Sequence, residues 1–306
     1  MFYNIYIVIW KSILICVVCS IYMFDESIKL SIFNWYKSPA IKFELIQSLF
    51  NRETAVINKC SESGKVTIRM LKCHNVSHLD FIMNYILRMQ ETGNLYNLYY
   101  SLAKYQNGIP HQDWHLQERN NQEWTDNHYK EMISYDFLLD IDAGDFEELS
   151  YAKEATIEIK EFLDDRWIPY HLRFSGCGFH FVIPYDYLPK HLSLNPFYKG
   201  ENIYKYCQSL GKFFYKDFSD LVDYKIYDSR RICKVPYSLS IYPQTNNVFM
   251  CMPFNNHLQL EMFDLKFFEL NNLIPEANKF RKNHLFNAQT DVNIAKNEII
   301  KIKEVV

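Results

Sequence analysis

The sharpest change in the hydrophobic pattern of this chain falls in its middle third. YDFLLDID (135–142) is a continuous apolar run punctuated by acids, which predicts a strand buried on both faces. FEELSYAKEATIEIKEFLDDR (146–166) predicts an amphipathic helix. The residues expected along its apolar side are Tyr151, Ala155, Ile159 and Phe162. YHLRF (170–174) and FHFVIP (179–184) predict two more strands, joined by an SGCG turn. This order of elements is half of a split βαβ module.

The pattern is less regular on either side of that module. FELIQSLF and LDFIMNYILRMQ predict helices, and KVTIRML predicts a short strand. LYYSLAKY ends at a turn signal, NGIP (107–110). Residues 200–222 again predict a helix, 223–238 predict strand and loop, and the pattern fades after Pro253. We therefore expect an α+β fold with one large domain over 23–265 and a C-terminal tail over 266–306.

The first 22 residues form a separate apolar segment with Lys11 near its centre. The segment lacks the basic start and the cleavage site of a signal peptide. It is short for a membrane span and carries a charge in its middle. We favour the interpretation that Met23 is the true start. The second choice is that the segment is a tail that anchors the protein to a membrane. No other segment predicts a span, so a membrane partner is not expected.

Composition and charge limit the classes of function. The chain has 306 residues, 48% of them hydrophobic and 23% charged, as in an ordinary globular enzyme. The formal net charge of −3 means that any contact with nucleic acid is local or shared with a partner, because proteins that bind nucleic acid by charge alone are strongly basic. The eight cysteines are scattered, which favours free thiols in a reducing compartment over zinc sites.

Asp140 and Asp142 carry the first chemical signal. Side chains alternate along a strand, so both carboxylates emerge on the same face. Two neighbouring acids repel each other, and a divalent cation between them offsets that repulsion. The alternative for an isolated D-x-D pair is a strand that ends in a solvated acidic loop.

Two further motifs follow along the chain. In FSGCGFHF, Ser175 and Gly176 begin a tight turn whose backbone amides can cradle phosphate, with His180 on the next strand. Taken alone, a buried structural histidine is the simpler interpretation. In DYKIYDSRRICKVPYS, Asp223 precedes a basic cluster that contains Arg231 and Lys234. Alternating acids and bases of this kind suit a site that holds both a metal ion and a triphosphate.

The three motifs in this order resemble the archaeo-eukaryotic primase superfamily, and most closely the catalytic small subunit of archaeal DNA primases. Two flanking segments add to the resemblance: LYYSLAKYQNGIP lies upstream of the acids, and RRICKVPYSL follows the third acid. The resemblance covers about residues 94 to 243. It implies the primase catalytic core, with mixed sheets and an RRM-like split βαβ module flanked by helices.

The resemblance also implies roles for individual residues. The implied ligands of Mg²⁺ or Mn²⁺ are Asp140, Asp142 and Asp223, which are also the implied catalytic residues. Contacts with the incoming nucleotide fall to Ser175, Gly176, His180, Arg231 and Lys234. Asp228 is a rival to Asp223 as the third acid. The interval between the first two motifs holds a single helix and no cysteine, where many primases insert a zinc knuckle, so no zinc is predicted.

The function that the resemblance implies is two-metal nucleotidyl transfer by a DNA primase catalytic subunit, which makes short RNA or DNA primers on template DNA within a primosome. Nucleoside triphosphates are the substrates, and a primase large subunit is a possible partner. The expected location is cytoplasmic and nucleoid-associated, or nuclear in a eukaryote. The alternatives are a stand-alone primase-polymerase or gap-filling repair polymerase, a non-catalytic nucleotide-binding or nucleic-acid-binding member of a replication complex, and, more remotely, a metal-dependent nuclease.

Overall fold

Two antiparallel sheets meet at the acidic run of residues 135–142. The computed structural model describes residues 26–58, 67–70, 76–91, 96–106, 131–144, 146–242, 247–254, 260–270 and 285–304. The helices within these ranges are α1 (Glu26–Lys37), α2 (Pro39–Leu49), α3 (Val76–Glu91), α4 (Leu149–Asp165), α5 (Ile203–Asp217) and α6 (Val292–Glu304). The strands are β1 (Arg52–Asn58), β2 (Thr67–Met70), β3 (Tyr96–Tyr105), β4 (Met132–Tyr135), β5 (Phe137–Asp142), β6 (His171–Phe174), β7 (Gly178–Ile183), β8 (Ile232–Lys234), β9 (Leu239–Tyr242) and β10 (Asn247–Met250).

The first sheet has the order β2-β1-β3-β4, and β8 also pairs with β3. Its central strand β3 is ten residues long and falls on the tyrosine-rich stretch for which the sequence predicted only a turn at the end. In β3, Tyr99 lies opposite Lys234 and Tyr100 lies opposite Cys233 of β8. The last part of the third chemical motif, Ile232–Lys234, is thereby attached to this sheet.

The second sheet has the order β5-β7-β6, and all of its neighbours are antiparallel. Because β7 lies between β5 and β6, β5-α4-β6 is a split βαβ unit, as the sequence predicted. The chain then adds α5 and an antiparallel bridge from Val222 to Ile141 on the free edge of β5. The described part of the molecule is therefore α+β, with helices α4 and α5 next to β5.

The predicted strand over 135–142 is in fact two strands that belong to different sheets. The chain changes sheet at Asp136, whose buried carboxylate pairs with the buried guanidinium of Arg52 and accepts the Tyr185 N–H at 2.9 Å. The Asp136 N–H donates to the carbonyl of Leu102 in β3. These bonds to three different elements separate β4 from β5. An acid inside an apolar run is compatible with an unbroken strand, so the hydrophobic pattern does not indicate the break.

Helix α4 is shorter at both ends than predicted, and one of its four predicted apolar contacts is wrong. Tyr151 is 65% exposed, whereas Ala155 and Ile159 are buried. The ring of Phe162 packs against three rings near α5, those of Phe213, Phe214 and Phe218. The buried face of α4 is thus centred on Ile159, and an exposed tyrosine at its first turn fits because a phenol can stay in water.

The region beyond 265, which the sequence treats as a tail, contains α6. Ala295, Ile299 and Ile302 of α6 are buried, and the helix contacts α5. The boundaries predicted at 22 and 265 stay predictions, and residues 1–22 lie outside the described part of the chain. Of the helices in the described ranges, none is long and apolar enough to cross a bilayer.

The Arg52–Asp136 pair yields a stability prediction. Asp136→Asn keeps an acceptor for the Tyr185 N–H but leaves a buried guanidinium without its counter-charge, so we expect a loss of about 3 kcal/mol in the free energy of unfolding. Urea denaturation at pH 7 measures it. Asp186→Asn is the control, because Asp186 forms an exposed pair with Lys190, and less than about 1 kcal/mol is expected there. Equal losses in the two variants would contradict the assignment.

The same pair determines the direction in which stability changes with pH in acid. Burial acts to raise the pKa of Asp136, but the positive charges of Arg52 and Lys104 and the hydrogen bonds from Tyr185 and Arg52 together outweigh it, so the pKa lies below its usual value. The stabilisation is therefore present above the ordinary aspartate pKa of about 4 and is lost as the pH falls through the lower folded value. Asp136→Asn should remove this part of the acid dependence.

Candidate active site

The three predicted catalytic carboxylates lie on one face of the second sheet. Asp140 and Asp142 are two residues apart in β5. On the free edge of β5, the Asp223 N–H donates to the Asp140 carbonyl at 2.9 Å, and the Asp142 N–H donates to the Leu221 carbonyl at 3.1 Å. This register sets Asp223 opposite Asp140, and residues opposite each other in antiparallel strands share a face. Asp142 and Asp223 are exposed, and Asp140 is partly buried.

Two side chains from different elements of the fold contact Asp140. His180 faces it across the β5–β7 pair, and its Nε2 lies 3.1 Å from Asp140 Oδ1. Arg231 comes from the turn before β8, and its Nη2 lies 3.2 Å from Asp140 Oδ2. Burial acts to raise the pKa of Asp140, but His180 and Arg231 prevail, so the pKa lies below its usual value. The carboxylate is therefore ionised, and both of its oxygens are engaged.

The hydrogen bond at His180 Nδ1 identifies the ring nitrogen that carries the proton. Arg173 in β6 donates its Nε–H to His180 Nδ1 at 3.3 Å. A nitrogen that accepts cannot carry a proton, so the proton is on Nε2 and points at Asp140. Burial lowers the pKa of His180, and the positive charges of Arg173 and Arg231 add to that effect against Asp140. The contact with Asp140 is thus the hydrogen bond of a neutral imidazole.

Arg173 is the residue of the site that the sequence analysis missed. Its side chain is buried, with Nη1 donating to the Tyr100 hydroxyl at 2.9 Å and Nη2 lying 3.2 Å from Cys233 Sγ. None of its contacts in the described residues is a carboxylate. Arg173 stands in the strand YHLRF, two residues before the SGCG turn. The available signal was a charged residue facing inward in a strand otherwise rich in apolar residues.

The SGCG turn is shaped by close backbone packing. Gly176 has a φ of +114°, and a Cβ there would lie 2.3 Å from Ser240 Oγ. At Gly178 a Cβ would lie 2.1 Å from the Ile141 carbonyl oxygen. Both positions therefore require glycine. The Ala143 N–H donates to the Cys177 carbonyl at 3.2 Å, which fixes the turn beside Asp142. The Ser175 hydroxyl makes no hydrogen bond to the described residues, so it is available to a ligand.

The third motif is divided between two places. Asp223 lies beside Asp140, with its Oδ1 accepting the Lys225 N–H at 3.0 Å. Asp228 instead caps the next turn, where its Oδ1 accepts the Arg230 N–H at 2.7 Å. Lys234 is buried, with Nζ 3.1 Å from the Leu239 carbonyl and 4.9 Å from the centre of the Tyr99 ring. Geometry favours Asp223 over Asp228 as the partner of Asp140, and the ligand roles themselves stay predictions.

The donor chemistry of this face suits Mg²⁺ or Mn²⁺, which prefer carboxylate oxygens. Asp142 uses one oxygen for the Gly144 N–H and Asp223 uses one for the Lys225 N–H, so each keeps a second oxygen without a hydrogen bond to the described residues. Within the described ranges, no three His, Cys, Asp or Glu side chains are grouped closely enough to hold a metal ion. Of the three predicted ligands, Asp140 has both oxygens already engaged, by His180 and by Arg231.

No protein-family model matches the sequence, and no curated protein matches it. Among solved structures, the polymerase domain from Mycobacterium tuberculosis Ligase D in complex with DNA is similar over 83% of this chain and 92% of that chain, with a TM-score of 0.48 and 10% sequence identity. A likeness of this size is one of overall chain path, and it assigns neither a family nor a chemistry.

The contacts of Arg173 give a prediction about His180. Arg173→Met removes the donor to His180 Nδ1 without leaving a buried charge unpaired, so we expect the protein to fold with a change of less than about 2 kcal/mol. The Nε2–H tautomer should persist, because Asp140 still accepts that proton, but the nitrogen-15 resonance of Nδ1 should shift, because its hydrogen-bond donor is gone. Nitrogen-15 NMR of labelled histidine at neutral pH reads this directly. A wild-type Nδ1–H signal for His180 would contradict the assignment.

Proposed function

We propose that this chain is a nucleotidyltransferase that adds nucleotides to a growing strand on a DNA template. The observation that carries the proposal is the register of β5, which sets Asp140 between His180 and Asp223 on the face that also bears Asp142. Three carboxylates on one face, with a histidine and an arginine in contact with Asp140, supply the ligand types that a divalent cation and a triphosphate would use. A structural ion pair alone would not need two further exposed acids on the same face.

Each side chain has a distinct task in this proposal. Asp142, Asp223 and Asp140 would hold Mg²⁺ or Mn²⁺. The chemistry that such ions supply is activation of the attacking 3′-hydroxyl and neutralisation of charge on the leaving pyrophosphate. The Ser175 hydroxyl and the amides of its turn position the triphosphate next to Asp142. His180 keeps Asp140 oriented through its Nε2–H, and Arg231 balances charge.

The finer proposal is a primase catalytic subunit that initiates primers, working with nucleoside triphosphates and a large subunit that holds the template. The motif order in the sequence supports it. Lys234 fits the proposed triphosphate contact less well than the other residues, because its head group is buried against the Leu239 carbonyl and the Tyr99 ring. Extension of an existing primer and initiation without one are separable by experiment.

A second candidate is a non-catalytic nucleotide-binding member of a replication complex. The observation that favours it is that both oxygens of Asp140 are already engaged, by His180 and by Arg231. In that case the site would bind a triphosphate without turning it over. The same assay distinguishes the two candidates.

The test is incorporation of labelled ribo- and deoxynucleotides on primed and unprimed DNA templates with Mg²⁺ or Mn²⁺. We expect incorporation by the wild type and a loss of about 1,000-fold in Asp142→Asn and in Asp140→Asn, because each substitution removes ligand charge worth several kcal/mol in the transition state. Glu158→Gln removes an exposed carboxylate from α4 and should leave the rate unchanged.

Two results would count against polymerisation. Triphosphate binding without incorporation by the wild type would support the non-catalytic candidate. Equal incorporation by the wild type and Asp142→Asn would remove the carboxylate face from the mechanism. Incorporation only on primed templates would exclude primer initiation while keeping the transfer reaction.

A further inference from the structure

Within the described residues, the side chain of Arg231 is attached to the site by a single hydrogen bond. Its Nη2 contacts Asp140 Oδ2, and its Nε is buried with no hydrogen-bond partner among those residues. A guanidinium can donate five hydrogen bonds and usually binds a carboxylate with two of them. The side chain is 28% exposed, so water and ligands can reach it. Most of its donor capacity is therefore unused in this arrangement.

The backbone of Arg231 is held by two hydrogen bonds that do not involve its side chain. Its N–H donates to the Asp228 carbonyl at 3.2 Å, and its carbonyl accepts the Leu102 N–H at 3.0 Å. These bonds tie the residue to its own turn and to β3. A side-chain rotation can consequently move the guanidinium between acceptors without any change in the fold.

Arg231 and a divalent cation need the same atom. Asp140 Oδ1 is engaged by His180, so Oδ2 is the oxygen that a cation would take, and Arg231 occupies it. Two positive groups cannot both sit on one oxygen without repulsion. A triphosphate offers the guanidinium new anionic acceptors, which offsets the loss of the carboxylate.

We propose that Arg231 is an exchangeable cation, bonded to Asp140 Oδ2 in the ligand-free protein and transferred to the triphosphate when nucleotide and divalent cation bind together. This inference rests on the proposed function and adds a coupling to it. The cation alone meets competition from Arg231, and the nucleotide removes that competition. Binding of the two ligands is then cooperative, and the coupling is reciprocal.

Two lysines near the site do not fit this role. Lys234 is buried and bonded to the Leu239 carbonyl. Lys225 is exposed next to Asp223, and its Nζ lies 5.6 Å from the centre of the Tyr224 ring. Lys225→Gln thus removes one positive charge beside the carboxylates without touching Asp140, which makes it a matched control for Arg231→Gln.

The experiment measures Mn²⁺ binding to the full chain without nucleotide, from the paramagnetic resonance signal of free Mn²⁺. We expect Arg231→Gln to bind Mn²⁺ about 10-fold more tightly than the wild type, within the usual range of coupling between sites. Lys225→Gln should bind like the wild type. Arg231→Ala is the second variant, and matching circular dichroism spectra establish that all four proteins are folded.

A second arm uses a fluorescent, non-hydrolysable deoxynucleoside triphosphate. Mn²⁺ should raise the affinity of the wild type for this probe by about 10-fold more than it raises that of Arg231→Gln, because the variant has no competing cation to displace. Equal Mn²⁺ affinities of wild type and Arg231→Gln, or equal tightening in Arg231→Gln and Lys225→Gln, would overturn the exchange. If the wild type polymerises but gives either of these equal affinities, only the proposed exchange of Arg231 is contradicted. If the wild type neither binds Mn²⁺ nor polymerises, the proposed function is contradicted as well.

Discussion

β5 is hydrogen-bonded along both edges, to β7 on one side and to the chain around Val222 on the other. Its alternation of buried and polar positions directs Leu139 and Ile141 into the core and Asp140 and Asp142 to the opposite face. A slip of one residue would bury both acids and expose both apolar side chains. The register is therefore held by the core, and the site inherits its geometry from that register.

Four side chains at the centre of this face form a hydrogen-bonded series. Arg173 donates to neutral His180, His180 donates to ionised Asp140, and Asp140 accepts from Arg231. The series joins β6, β7 and β5 to the turn before β8, so it links the two sheets. Each member depends on the next for its protonation or its orientation, as expected of a buried hydrogen-bond network. The exposed acids Asp142 and Asp223 stand outside the series, and this leaves them available to a ligand.

The sequence predicted the parts of the fold that are set by local pattern. The split βαβ order, helices α4 and α5, and the shared face of Asp140 and Asp142 follow from hydrophobic periodicity and side-chain alternation over a few residues. The split of the 135–142 run at Asp136 does not, since it depends on the buried guanidinium of Arg52 from 84 positions away. Nor does the burial of Lys234, which follows from the pairing of β8 with β3. His180 and Asp223 lie beside Asp140 through strand pairing, whereas Arg231 reaches it from the turn before β8, which no local pattern predicts.

The central claim is that Asp142 and Asp223 share a divalent cation with Asp140 on this face. Crystals soaked with Mn²⁺ and a non-hydrolysable triphosphate, measured at the manganese absorption edge, test it most directly. The account predicts anomalous density between the carboxylates of Asp142 and Asp223, with Arg231 turned from Asp140 to the phosphates. Ordered triphosphate elsewhere on the protein, or triphosphate at the SGCG turn with no manganese at these carboxylates, would contradict it.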